Sequence, residues 1–346
     1  MKYRGVIAMK TDLLSFTSNG IYCEKADVYL DPWRPVDKAI ISHAHADHSR
    51  YGNKKYIAHH HSVPVIKHRL GGVNIQGISW NEPFSVNGVQ FTLYPAGHIV
   101  GSSLIKVMHK GEIALFTGDY KLENDGLSTP LEMQRCHTLI TECTFGLPIF
   151  RWKPQQEVFS EIENWWSFNQ QNSFTSVIYA YSLGKAQRLL HHLQSTHGTI
   201  LVHPAIAAVN ESLSTIVSFN SVQTLTADIN PIDHPGALLI LPPSGREAKY
   251  LKKWGELRTA SASGWMATRG NRRRRNVDRG FVISDHCDFD ALNTCIKYSE
   301  AEKVICTHGF TDIYSKYLRG IGFNAGTEHA EFEEEEVENS TDLLVQ

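Results

Sequence analysis

The stretch ISHAHADHS, residues 41–49, continues an apolar run that starts at Ala39 and carries four side chains able to bind metal ions, His43, His45, Asp47 and His48. If buried, each of these side chains needs a hydrogen-bond partner, and an unpaired carboxylate in a protein interior is costly. A metal ion satisfies them together, because imidazole nitrogens and carboxylate oxygens are common metal ligands. His43 and His45 point the same way if strand geometry continues, while Asp47 and His48 in the following turn can bind a second ion. The pattern predicts a metal centre, and the alternative is a histidine-rich surface loop.

Six further acidic or histidine side chains follow apolar runs elsewhere in the chain. One alone would be unremarkable, because a single histidine after a strand is more often held by ordinary hydrogen bonds, and TGD is a common turn. Six in equivalent positions predict that several strand ends converge at one sheet edge. They are Asp31 in YLDP, His98 in PAGHIVGSS, Asp119 in FTGDYK, Glu142 in TECTFG, His286 in ISDHCDFD and His308 in CTHGF.

The chain of 346 residues is long enough for two domains. The first 145 residues contain short β-branched or aromatic runs closed by turn residues, which predicts strands. From Gln155 the apolar period becomes that of a helix, and compact apolar runs between helices predict a buried parallel sheet. Strand-ending patterns return in FVISDH and KVICTHG. We therefore predict an α/β protein with one domain over 1–150 and 281–330, an inserted α/β domain over 151–280, and a disordered acidic tail over 331–346.

Composition excludes several classes of protein. Hydrophobic residues make up 42% and charged residues 20%, as in ordinary globular proteins. No stretch approaches the roughly 20 apolar residues of a membrane helix, and Asp12 and Ser15 interrupt the N-terminal apolar stretch, so we expect no secretory signal. The six cysteines form no CxxC pair and are expected to be reduced and buried. We expect a cytoplasmic protein with no membrane partner.

Several segments suit contacts with nucleic acid. SLGKAQR predicts a helix whose first N–H groups, with Ser182, Lys185 and Arg188, form a phosphate seat; the alternative is an ordinary capped helix. Trp265 is expected either to stack on a base or to lie in the core. The segment RGNRRRRNVDR is either a phosphate-binding patch or a solvated loop. Its arginines are Arg269, Arg272, Arg273, Arg274, Arg275 and Arg279. Aromatics with arginines fit single-stranded nucleic acid or nucleic-acid ends better than sequence-specific reading of a groove.

These motifs resemble those of a known superfamily. HxHxDH followed by PAGHxxGS and TGDY resembles the metallo-β-lactamase superfamily, and TECTFG, ISDH and THG resemble its β-CASP nuclease branch. From about residue 13 to 325, including DPWRPVDKAIISHAHADH, RCHTLITECTFGLPIFRW and YAYSLGKAQRLL, the sequence is similar to bacterial ligase-associated DNA exonucleases, which are relatives of Artemis-type nucleases. The resemblance implies a metallo-β-lactamase αββα sandwich with an inserted α/β β-CASP domain.

The resemblance also implies two zinc sites that share one carboxylate. His43, His45 and His98 would hold one ion, Asp47, His48 and His308 the other, and Asp119 would bridge them. Asp31 would orient a ligating histidine, while Glu142 and His286 match the additional acid and histidine motifs of the branch. Zinc is expected, and manganese accepts the same ligands. At the position of His308, eukaryotic Artemis-type DNA nucleases usually have valine and RNA-processing relatives have histidine.

The function expected from the resemblance is a two-metal DNA exonuclease of bacterial repair that acts from 5′ ends. Two divalent ions neutralise phosphate oxygens and turn a bound water into the hydroxide nucleophile. His286, kept protonated by Glu142, is the expected acid for the leaving oxygen, and Asp47 is an alternative proton carrier. The alternative function is a β-CASP ribonuclease resembling mRNA 3′-end processing enzymes. A thioester or lactam hydrolase and a non-catalytic binder explain the sequence less well. A DNA ligase and a helicase are the expected functional partners.

Overall fold

The computed structural model describes residues 13–193, 198–219, 222–247 and 249–332. Within these residues the chain forms two compact units. The first unit contains 13–124, 128–151 and 286–332, and the second contains 125–127 and 152–285 apart from the undescribed positions. The second unit continues to Asp285 because the strand Arg279–Phe281 pairs within its sheet.

The first sheet of the first unit has six strands in sequential order. Its first three strands are antiparallel and the remaining pairs are parallel. The strands are β1 (Ser15–Thr17), β2 (Gly20–Cys23), β3 (Val28–Leu30), β4 (Lys38–Ile40), β5 (Lys55–His59) and β6 (Ile75–Ile78). Helix α1 (Val63–Leu70) connects β5 to β6 and has proline in its first turn, where a missing N–H costs nothing.

The second sheet of the first unit has seven strands in the order β19-β18-β11-β10-β9-β8-β7. Strands β7 to β10 form an antiparallel meander, whereas β10, β11, β18 and β19 run parallel. The bounds are β7 (Phe84–Val86), β8 (Val89–Pro95), β9 (Ser103–His109), β10 (Glu112–Phe116), β11 (Thr138–Cys143), β18 (Lys303–Gly309) and β19 (Ala325–Thr327).

The core of the first unit lies between its two sheets. Ile40 and Ile57 of the first sheet belong to one buried apolar cluster with Phe91 and Ile105 of the second. The outer face of the second sheet is covered by α6 (Phe289–Ser299) and α7 (Thr311–Gly320). This layering is the αββα sandwich predicted from the sequence, and it follows from strands whose two faces are both apolar.

The second unit has a parallel sheet in the order β14-β13-β15-β12-β16-β17. Its strands are β12 (Thr175–Tyr179), β13 (Ile200–Val202), β14 (Gln223–Thr224), β15 (Leu238–Leu241), β16 (Leu257–Ala262) and β17 (Arg279–Phe281). Its α-helices are α2 (Gln155–Gln171), α3 (Lys185–His192), α4 (Pro204–Leu213) and α5 (Arg269–Arg274). Short 3₁₀-helices cover Pro231–Asp233, Pro243–Glu247, Lys249–Trp254 and Gly264–Ala267.

Two local features bring strand ends together in the first unit. Gly118, with φ of +50°, lies so close to Ser42 that a Cβ would be 2.5 Å from its Oγ, so only glycine allows this approach. The pairing of β11 with β18 shifts after Thr141, which sets Glu142 opposite His308. Such an irregularity re-aims a side chain at a sheet edge.

In the described part of the chain, no helix is both long and apolar enough to cross a bilayer.

Candidate metal centre

The first unit brings three histidines and one aspartate together at its strand ends. His45 Nδ1 lies 3.1 Å from both His43 Nε2 and His98 Nε2. Asp119 Oδ2 lies 3.5 Å from His43 Nε2 and 3.7 Å from His98 Nε2. These four ligand atoms all lie within 4.8 Å of one another. The set therefore has the size and donor types of a metal site.

A second group of ligand atoms shares Asp119 with the first. His48 Nε2 lies 3.3 Å from Asp47 Oδ2 and 3.5 Å from Asp119 Oδ2. The same Asp119 oxygen thus faces histidines of both groups. A carboxylate in this position is able to bridge two cations.

The chemistry of these side chains fits divalent metal ions. His48 Nε2 and Asp119 Oδ1 are buried and make no hydrogen bond, a cost that a bound cation would remove. Burial, together with the neighbouring His48, lowers the pKa of His43 well below its usual value, so its imidazole is neutral. Burial alone would raise the pKa of Asp119, but His48 and His286 hold it well below the usual value. Neutral imidazole and ionised carboxylate are the forms that bind metals.

Asp31 supports this group from behind His48. Its carboxylate accepts hydrogen bonds from the Ser42 backbone N–H at 2.7 Å, from Ser42 Oγ at 2.5 Å and from His48 Nδ1 at 2.7 Å. Asp31 itself has a left-handed backbone with φ of +40°, which is uncommon outside glycine. These bonds fix the His48 ring with Nε2 directed to Asp119.

Glu142 and His286 form a buried pair beside the ligand groups. His286 Nδ1 lies 2.8 Å from Glu142 Oε1. Glu142 also accepts hydrogen bonds from the Tyr120 N–H at 3.1 Å and from Thr144 Oγ1 at 2.5 Å. Ligand atoms of Asp119, Glu142 and His286 lie within 4.8 Å of one another. An imidazole held by a carboxylate in this way is suited to proton transfer.

His308 differs in position from most of the other predicted ligands. Among the described residues, neither His308 nor Asp47 belongs to the groups of ligand atoms that all lie within 4.8 Å of one another, although Asp47 Oδ2 lies 3.3 Å from His48 Nε2. His308 lies opposite Glu142 in the pairing of β11 with β18 and is 7% exposed. Its side chain lines a cavity of about 590 Å³ together with Phe332. The structure thus places His308 next to the site without joining it to the second group.

Phe332 is a neighbour of the site that was missed at the sequence level. Its ring stacks on the imidazole of His48, with centroids 4.4 Å apart. The preceding Glu331 forms an ion pair with Arg34 at 2.5 Å, and its carbonyl accepts a hydrogen bond from Arg50 at 2.6 Å. Glu331 and Phe332 are thus packed, unlike the disordered tail predicted from residue 331, whereas 333–346 lie outside the described residues. Phe332, directly before the run Glu333–Glu336, was the sequence feature that could have indicated this packing.

The residues predicted to contact nucleic acid fall into two groups in the second unit. Arg275 and Ser182 are half-buried. The other arginines of the predicted patch are exposed, four of them in α5 and one at the start of β17: Arg269, Arg272, Arg273, Arg274 and Arg279. Trp265 is 8% exposed, as expected if it lies in the core rather than stacking on a base. The predicted phosphate seat is wrong in one respect, since Lys185 and Arg188 are buried. Asp285 forms ion pairs with both.

Fold and site together define a class of protein, the αββα metallo-β-lactamase fold with a histidine and carboxylate centre suited to divalent metals. No family model matches the sequence. A solved structure of a protein of unknown function from Enterococcus faecalis superposes with a TM-score of 0.55 over 86% of this chain and 79% of that chain. Its sequence identity is 12%, so the likeness concerns the fold alone.

Sequence relatives narrow this class. The chain is 28% identical over 317 residues to the probable DNA ligase of Opitutus terrae, covering 89% of this chain and 30% of that protein. It is 38% identical over 76 residues to endoribonuclease ysh1 of Aspergillus fumigatus, covering 21% of this chain and 9% of that protein. The chain therefore spans less than a third of the length of either relative. These similarities relate the chain to part of a protein named a probable DNA ligase and to part of an endoribonuclease.

Proposed function

We propose that this chain is a metal-dependent nuclease that hydrolyses phosphodiester bonds in DNA from 5′ ends. The observation that carries the proposal is the Asp119 oxygen shared by two groups of ligand atoms, next to the buried Glu142 and His286 pair. When bound, two divalent ions would neutralise the negative charge of the phosphodiester and make a bound water molecule more acidic. Zinc is the proposed ion, and manganese accepts the same donors.

The proposed ligand sets follow the two groups. His43, His45 and His98 belong to the first site, Asp47 and His48 to the second, and Asp119 to both. His308 is proposed as the further ligand of the second site. Support for it comes from its place beside Glu142 and from its side chain, which lines the cavity that Phe332 also lines. Asp31 keeps His48 in the ligating orientation.

The proposed acid is His286. As water attacks phosphorus, the bond from phosphorus to the leaving sugar oxygen breaks, and that oxygen takes the proton of His286. Glu142 holds the imidazole through Nδ1, and its own orientation is set by Tyr120 and Thr144. The proton lost by water leaves through Asp47, whose side chain is 18% exposed at the rim of the site. His286 then recovers its proton from solvent, so the reaction is balanced.

Two observations bear on the substrate. Similarity to the Opitutus terrae protein covers 89% of this chain and favours DNA. Similarity to the ysh1 endoribonuclease and the histidine at position 308 favour a second candidate function, a β-CASP ribonuclease. We give more weight to the relative that matches most of the chain. Following this similarity we propose a role in DNA repair together with a DNA ligase, and following the family resemblance we propose a helicase as a further partner.

The proposed nucleic-acid-binding surface lies on α5 in the second unit. Arg269, Arg272, Arg273 and Arg274 are exposed there within six residues, and no acidic residue lies in that helix. A cluster of exposed guanidinium groups binds phosphates without reading sequence. Arg275, at the end of α5, and Ser182, which precedes α3, are half-buried and are proposed as further phosphate contacts. Trp265 is proposed to stabilise the segment from the core rather than to stack on a base.

Matched single strands of DNA and RNA, each labelled at either end, test the proposal. The purified protein loaded with zinc or manganese is compared with an Asp119→Ala variant prepared in parallel, which removes the shared ligand and reveals contaminating nucleases. We expect mononucleotides to be released from the 5′ end of DNA by the wild type alone. Preferred cleavage of RNA would favour the second candidate. Cleavage of neither, with hydrolysis of a thioester or lactam, would overturn both.

A further inference from the structure

The second unit contains a cluster of three buried charged side chains that the proposed reaction does not use. Lys185 Nζ lies 3.2 Å from Asp285 Oδ2, and Arg188 Nη1 lies 3.6 Å from Asp285 Oδ1. Each of the three side chains is at most 3% exposed. Buried charges of this kind persist only when they are paired, and removing one partner leaves the other uncompensated.

Arg188 also holds the main chain and a second helix. Its Nη1 donates to the carbonyl of Ser284 at 2.5 Å, while Nε and Nη2 donate to Gln155 Oε1 at 2.8 and 2.5 Å. The planar fork thus connects the start of α2 with the segment Ser284–Asp285. Lys185 adds a contact from the first turn of α3, where its ammonium group lies 5.0 Å from the centre of the Tyr181 ring.

The segment held in this way directly precedes His286. Asp285 is bonded directly to His286, and the trans peptide keeps their Cα atoms about 3.8 Å apart, so contacts that hold Asp285 restrict where the backbone of His286 can start. His286 in turn needs its Nδ1 within hydrogen-bonding distance of Glu142, where the separation is 2.8 Å. The cluster therefore acts on the part of the chain that decides where the imidazole lies.

We propose that Lys185 and Arg188 are positioning residues for His286, acting through Asp285 and Ser284, and not phosphate ligands. A phosphate would have to displace the carboxylate that both already contact, and both side chains are buried. The inference rests on the proposed function in one respect, the role of His286 as the acid.

The test compares Lys185→Met and Arg188→Gln with Lys153→Met, a matched change of an exposed lysine in the same unit. Arg188→Lys is included because it keeps the charge and favours folding. Each protein is assayed on DNA and on a nucleotide 4-nitrophenyl ester, whose leaving group departs without a proton. We expect kcat on DNA to fall by about tenfold to a hundredfold in the Lys185 and Arg188 variants. KM for DNA and the rate of ester hydrolysis should both stay nearly unchanged.

Other outcomes would overturn the proposal. A raised KM for DNA with a weaker salt dependence and an unchanged kcat would make Lys185 and Arg188 phosphate ligands. Equal losses on DNA and on the ester, together with a lower melting temperature, would make the cluster merely structural. Lys153→Met should behave as the wild type in all assays.

A readout without catalysis separates this inference from the proposed function. In protein labelled with ¹⁵N-histidine, the Nδ1 proton of His286 hydrogen-bonded to Glu142 should give a downfield NMR signal, assigned by its loss in His286→Ala. We expect Arg188→Gln to abolish or shift this signal, and Lys153→Met to preserve it. If the wild type cleaves neither DNA nor RNA, the proposed function fails, while the signal still decides the positioning role. An unchanged signal in Arg188→Gln would refute that role.

Discussion

The phenyl ring of Phe332 lies parallel to the imidazole of His48, with 4.4 Å between the ring centroids and 6° between the planes. Asp31 holds the opposite, Nδ1 side of the same imidazole at 2.7 Å. His48 is thus constrained in its ring plane by a hydrogen bond and across it by an aromatic ring. A residue far along the chain from the HxHxDH motif therefore belongs to its immediate environment.

Phe332→Ala is expected to weaken divalent metal binding. Loss of a ring contact worth about 0.5–1.5 kcal/mol corresponds to a decrease in affinity of about twofold to tenfold. Competition between the metal-free protein and a chromophoric chelator measures this change. Phe332→Tyr, which keeps the stacked ring, and Phe168→Ala, a change of an exposed phenylalanine, serve as controls. Equal affinity in Phe332→Ala and the wild type would mean that the stacking does not constrain His48.

Asp31→Asn is expected to have a larger effect on metal affinity. The amide places an NH₂ group where His48 Nδ1 and Ser42 now find carboxylate oxygens. Loss of such a supporting hydrogen bond typically lowers metal affinity about 10-fold to 100-fold. The same chelator competition measures it, with Asp37→Asn as the control because that side chain is 70% exposed. A similar affinity in both variants would argue against the orienting role of Asp31.

Replacing Arg272, Arg273, Arg274 and Arg275 by alanine is expected to weaken DNA binding and to reduce its dependence on salt. Each lost phosphate contact on a single strand changes the slope of log affinity against log salt by about 0.7. Fluorescence anisotropy at several salt concentrations, in the absence of metal to prevent cleavage, measures both quantities. Arg135→Ala, at an exposed site in the first unit, is the control. If affinity and slope stay the same, the segment is a solvated surface helix.

His59 is expected to make folding stability depend on pH. Burial, with smaller contributions from His61 and His60, lowers its pKa from 6.5 to about 3 in the folded protein. The unfolded chain therefore binds a proton below about pH 6.5 that the folded protein does not bind. The stabilisation is complete above that pH and is lost as the pH falls toward 3, by about 1.4 kcal/mol for each pH unit.

Urea unfolding of the metal-free protein between pH 7 and pH 4.5 checks this effect. The free energy of unfolding should fall less steeply in His59→Gln than in the wild type, since the variant lacks the group that titrates. His68→Gln, at an exposed position, should retain the wild-type slope. Parallel curves for His59→Gln and the wild type would show that His59 titrates alike in both states.

Local sequence patterns predicted an α/β protein with an inserted domain and most of the side chains that meet at the strand ends, while the family resemblance implied the αββα sandwich. The reason is that the relevant signals are local. Alternation of apolar runs and turns defines the strands, and HxHxDH places several ligands within six residues at the end of one of them. Because strand ends meet at one edge of a sheet, His98 and Asp119 were also predictable as neighbours of His43.

Only the tertiary structure decided which charged residues face solvent and which are buried in ion pairs. Lys185 and Arg188 are residue types expected at a phosphate-binding site. Arg188 instead donates a hydrogen bond to the carbonyl of Ser284, 96 residues away, and both side chains form ion pairs with the adjacent Asp285. Glu142 and His286, 144 residues apart, become hydrogen-bonded partners in the same way. Burial and pairing depend on which segments the packed fold brings together, and that information is not contained in the local spacing of residues.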